Sequence, residues 1–212
     1  MQVIPRELTQ NNWTLIVLIL GFVLLFFMKV FQSSRLLGYT ISFFTRGFIE
    51  KRAEEKLAFF STFHILLFSF SSLTISLFIH LITVYYKATL NNFSSFLLIF
   101  TFTSIYLTIR YIIDYSFGQL LNISDYVRYF IFTKSGYLYT LSIWLFPVLI
   151  IYFFGFKNNY FLLGSFLLLV LIRFGLVFYN NKKLIIKHLF YFILYLCALE
   201  MAPLFLLFKF LK

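Results

Sequence analysis

The chain has 212 residues, 62% of them hydrophobic and 12% charged, with a formal net charge of +11 and a mean hydropathy of +0.93. Soluble domains carry roughly 25% charged residues, and so little polar surface cannot cover a water-exposed fold. A soluble catalytic domain is therefore excluded, and the positive charge reads as the Lys/Arg bias of membrane loops facing anionic headgroups rather than as a nucleic-acid surface.

The expected fold is an all-α integral membrane bundle of about six transmembrane helices in one domain over 1–212, with one or two short cytoplasmic interfacial helices. Uniform apolar runs of this length fit helices and not barrel strands, because lipid forces every backbone group to be satisfied within the segment. The first span is 13–31, from Trp13 at one interface to Phe31, with Lys29 able to snorkel. Its apolar run is too long for a signal-peptide core, and no A-x-A cleavage site follows. Next, Leu36 to Phe48 is too short to cross and too apolar for a solvated loop, so it reads as an interfacial helix or a re-entrant stretch. The mixed-charge run from Glu50 to Lys56 reads as a solvated helix end. The second span is 57–86, long enough that it must tilt or protrude, and the third is 93–115. Ser124 to Phe130 reads as a second interfacial helix with Ser124 as its N-cap. The last three spans are 137–156, 160–179 and 184–207.

Lys and Arg fix the expected orientation. Twelve fall in the connections after spans one, three and five and their flanks, and five on the opposite side, with Arg173 left inside a span. The crowded side is cytoplasmic by the positive-inside rule. Both termini then face the periplasm of a bacterial inner membrane.

Ionisable groups are the informative residues in a bilayer, since each costs at least about 2.5 kcal/mol at its centre. His80 sits six residues inside Tyr86, and Glu200 eight residues before Phe208, which sets them at similar depths of about 9 and 12 Å from the outer edge. Glu200 has no local partner, and Pro203 frees the carbonyl of Leu199 beside it. Span two also carries Thr62, Ser69, Ser72, Ser76, His80 and Thr83 on one helical face, a stripe suited either to close helix packing or to the wall of a hydrated path. The candidate intramembrane polar site is therefore Glu200, His80, Ser76 and Ser72. A second cluster, on the cytoplasmic side, comprises Arg110, Asp114, Arg173, His64 and His188. There Arg110 and Asp114 can neutralise each other at i,i+4, and Arg173 can reach a lipid phosphate, the headgroups or Asp114.

No catalytic residue, cofactor or metal site is expected. H-E-x-x-H, Walker-loop and G-x-S-x-G motifs are absent, His64 and His80 lie too far apart on one helix to share an ion, and the single cysteine, Cys197, lies in an apolar run.

The segments Arg6–Leu15 (RELTQNNWTL) and Leu36–Phe44 (LLGYTISFF) resemble an uncharacterised polytopic inner-membrane protein family of Bacteroidota, known only as a domain of unknown function. The resemblance implies localisation and a six-span or similar bundle, and it brings no activity or site residue. Three classes of function are compatible with the chain. The first expectation is a non-catalytic inner-membrane subunit or assembly factor of a larger envelope complex, with the lipid bilayer and other membrane proteins as partners. The alternatives are a small proton- or cation-coupled transporter or channel using Glu200 and the polar face of span two, and an intramembrane lipid-modifying enzyme using His64, Arg173 and His188.

Overall fold

The structure, a computed structural model, describes residues 12–43, 48, 62–86, 91–120, 124–155 and 158–180, with the side chains of 12, 114–132 and 177–180 excepted. Among the described residues there are five helices and no strand: α1 (Asn12–Ile41), α2 (Thr62–Tyr86), α3 (Phe93–Leu120), α4 (Ser124–Phe154) and α5 (Asn159–Asn180). Each is long and apolar enough to cross a membrane, over Trp13–Ile41, Thr62–Tyr86, Phe93–Ile113, Thr133–Phe154 and Asn159–Leu176 respectively. The expected sixth span, 184–207, lies outside the described residues, as does the 50–56 run.

Helix α2 is the centre of the bundle and packs on α1, α3 and α4, while α4 also carries α5. Over its most apolar stretch 56% of α2 is buried, against 11% for α3 and α5. Its core side chains Phe63, Leu67, Phe70 and Leu77 alternate with buried Ser71, Ser72, Thr74 and Ser76. Small residues at these positions let neighbouring backbones approach, which is the main source of helix association where lipid removes the hydrophobic drive. Gly21 of α1 does the same against α4, since a Cβ there would sit 2.6 Å from the ring of Phe146, itself fully packed against Phe22 and Phe70.

Helix α1 breaks at Gln32 (φ −154°, ψ 75°), where the apolar run gives way to Gln32-Ser-Ser-Arg35. Beyond the break, residues 33–41 turn into the bundle. Tyr39 is 1% exposed, its ring 6.2 Å from Phe63 of α2 and 6.4 Å from Tyr139 of α4. Ser42 and Thr140 share a 2.8 Å hydroxyl hydrogen bond, and the Trp144 indole N–H donates to the Thr40 carbonyl at 3.0 Å. Trp144 is two residues from Phe146, which packs over Gly21 midway along the first apolar run. The stretch expected to be interfacial or re-entrant is thus packed among the helices as far as Phe43. Its further residues 44–47 lie outside the described residues, and Phe48 closes over Gly38, with ring atoms where a Cβ would be.

The expected separate helix at Ser124–Phe130 is corrected. It is continuous with the fourth span, and α4 runs unbroken from Ser124 to Phe154. The lone Gly136 does not interrupt it, as a single glycine weakens a helix by only about 1 kcal/mol, and the Thr140 hydroxyl donates back to the Gly136 carbonyl at 3.1 Å. The short turn into α5 is closed by Asn158, whose side-chain oxygen accepts from the Tyr160 N–H at 3.0 Å in the manner of an N-cap. The Tyr152 hydroxyl meanwhile donates to Asn159 Oδ1 at 2.7 Å.

Candidate functional site

Ser72, Ser76 and His80 recur every four residues and share one face of α2. All three are buried. Ser72 crosses to Ser104 of α3 in a 2.7 Å hydroxyl pair. Ser76 donates to the Leu73 carbonyl at 2.9 Å, and Thr74 to those of Phe70 and Ser71. In hydrocarbon a hydroxyl without a partner would be costly, and bonding back to the preceding turn is the local remedy.

His80 differs from the hydroxyls. It is 1% exposed and walled by aromatic rings from two other helices. Trp13 of α1 stands edge-on at 5.0 Å and Phe96 of α3 at 5.9 Å, with Phe93 completing the group around Trp13. Neither ring nitrogen has a hydrogen-bond partner among the described residues. Ring edges offer only weak contacts to an imidazole N–H, so this group is under-satisfied for its burial.

At the opposite end of the bundle, side chains from four helices line a half-open cavity of about 50 Å³. It receives Arg110 from α3, Lys134 from α4 and Arg173 from α5, together with Ser71 and the rings of Tyr111 and Tyr139. Phe68, Leu107 and Leu138 form its apolar wall. Lys134 is only 5% exposed, and Arg110 and Arg173 are half-buried.

Of the expected cytoplasmic-side cluster, the fold brings Arg110 and Arg173 to one cavity and does not place His64 among its lining residues. Asp114 follows Arg110 by one turn of α3, but its side chain lies outside the described ones, and His188 and Glu200 lie outside the described residues altogether. The sequence reading missed Lys134, assigning it to a loop before the fourth span. A signal for it exists: Lys134, Leu138, Leu141, Leu145 and Leu149 keep a four-and-three spacing, and the last three are buried. Lys134 therefore extends the core-facing stripe of α4 by one turn.

Five membrane-length apolar helices around this polar interior make the chain a helical membrane protein. Residues 14–211 match the family described as Domain of unknown function (DUF4271), and the chain belongs to that family. No curated protein and no solved structure matches it.

Proposed function

We propose that the protein is a non-catalytic subunit or assembly factor of a larger envelope complex, held in a bacterial inner membrane with both termini on the periplasmic side. Anionic headgroups at its cytoplasmic face and other membrane proteins are its partners. The observation that carries this reading is where the buried hydroxyls go. Ser72 and Ser42 tie neighbouring segments together, and Ser71, Thr74, Ser76 and Thr83 bond to carbonyls of their own helix, so that the polar face of α2 serves packing. The orientation rests on the uneven Lys/Arg count of the connections. An orphaned membrane subunit is degraded when its complex cannot form. Repressing the gene should therefore lower the steady-state level of at least one other membrane protein, read by quantitative proteomics of isolated membranes. An unchanged membrane proteome would contradict the reading.

One observation favours a second reading, a small proton- or cation-coupled transporter. His80 is a titratable ring sealed in an aromatic box with both nitrogens unmatched among the described residues, and Glu200 is set by sequence at a similar depth. That reading requires Glu200→Gln to abolish flux in proteoliposomes while the protein stays folded. Full flux in the variant removes it.

A further inference from the structure

The cavity between α2, α3, α4 and α5 is built for a particular kind of ligand. Three different helices each deliver one cation to it, Arg110, Lys134 and Arg173. Such convergence of like charges does not arise from one helix's amphipathic pattern. Helices α3, α4 and α5 together carry four cations (Arg110, Arg128, Lys134, Arg173) and two acids (Asp114, Asp125), so on these helices the cations outnumber the acids. Lys134 is held there by its register on the buried stripe of α4 and is not free to swing into solvent.

The depth of the cavity narrows the ligand. By sequence the third and fifth spans end at 115 and 179 and the fourth begins at 137, so Arg110 and Arg173 lie five and six residues inside those bounds and Lys134 three residues outside. By helix rise all three are within about 9 Å of the boundary, from which long Arg and Lys side chains reach the level of a lipid phosphate. The volume narrows it further. One water needs about 10–15 Å³ of such space, so about 50 Å³ holds roughly three to five small polar atoms, the size of one phosphate group with its oxygens. Beside the cations, Phe68, Leu107 and Leu138 offer a surface suited to an acyl chain. Arg presents a planar donor fork to phosphate oxygens and Lys a compact charge.

We propose that this cavity is a binding site for a phosphate-bearing group, supplied by an anionic phospholipid whose headgroup enters between α3 and α5. The site deepens the anionic-headgroup part of the reading above; the subunit part is independent of it, and a failure here would leave that part standing.

The test uses the full-length protein purified in detergent. Native mass spectrometry follows titration with phosphatidylglycerol or with phosphatidylcholine of the same acyl chains, and a parallel arm adds inorganic phosphate as competitor. One phosphatidylglycerol should be retained in preference to phosphatidylcholine. Retention should fall about tenfold for each cation removed, the factor one charge-assisted hydrogen bond carries, in Arg173→Gln and in the Lys134→Gln/Arg173→Gln double variant. Arg173→Lys should keep most of the binding, and Lys29→Gln, which removes an exposed charge elsewhere, should keep all of it. If removing Lys134 prevents folding, checked by gel filtration, the half-buried Arg173 variant alone decides. Equal retention of the two lipids, or retention unchanged by the Arg173 variant, overturns the site. Displacement of phosphatidylglycerol by millimolar inorganic phosphate supports the phosphate chemistry, whereas binding of phosphate without lipid retention overturns the lipid as its source.

Discussion

At the residue scale, His80 separates the two functional readings. A buried imidazole with no hydrogen-bond partner destabilises by about 1–3 kcal/mol relative to a satisfied one, and an apolar replacement of similar shape removes that cost. If the ring serves only packing, His80→Phe should leave the melting temperature in detergent unchanged or raise it. A drop of several degrees would mean that His80 holds a partner, which the transporter reading assigns to Glu200. Gly21 makes the complementary prediction. A side chain there meets the buried Phe146 ring, so Gly21→Leu should destabilise by about 1–3 kcal/mol through overpacking, read as a lowered melting temperature. An unchanged value would show that α1 and α4 do not approach as described. Little of this was legible beforehand. The sequence marks His80 as costly at depth and gives its face of α2, but its aromatic walls come from α1 and α3, and no local pattern reports which rings will surround it. Lys134 is missed for a different reason: a charge two residues before a glycine reads as a loop unless the leucine spacing downstream is carried backward through it.

At the element scale, the chain after Gln32 is the feature that periodicity describes least. Its apolar composition says that it must leave water, and its length says that it cannot cross, which is as far as the pattern goes. Its docking depends on a few tertiary contacts, chiefly the Trp144 indole on the Thr40 carbonyl and the Ser42–Thr140 pair, between residues about a hundred positions apart. Trp144→Phe keeps the stacking on Phe43 but deletes the donor, at a cost of about 1 kcal/mol. Backbone amides of residues 36–43 should then exchange with deuterium faster, while those of α2 keep their protection. Equal exchange in the two proteins would show that the indole bond does not hold the segment. The spans themselves were largely readable, because 18 or more apolar residues have no other stable fate in this composition. Their ends were less so. Helix α3 continues to Leu120 and α4 begins at Ser124, past the apolar runs, because helical hydrogen bonding does not stop where hydrophobicity does.

At the scale of the whole molecule, the two ends of the bundle differ in kind. One end packs Trp13, Phe93 and Phe96 into an aromatic cluster around the buried His80, and the other gathers Arg110, Lys134 and Arg173. The proposed orientation, which rests on the Lys/Arg count, puts the basic end on the cytoplasmic side. In a Cys197→Ala background, a cysteine at Lys87 should react with a membrane-impermeant maleimide added outside spheroplasts, and one at Arg52 should react only after lysis. The opposite pattern would invert the topology and place the basic cavity on the outer face.

On the proposed function the hydroxyl face of α2 serves packing and the protein acts through partners. The most direct test is to purify the tagged protein from gently solubilised native membranes and record its native mass and co-purifying chains. A particle heavier than the 25.4 kDa chain and its bound lipid and detergent is expected, with a distinct second polypeptide in fixed stoichiometry that recovers this chain when tagged in turn. A particle containing this chain alone, as monomer or homo-oligomer, would contradict it.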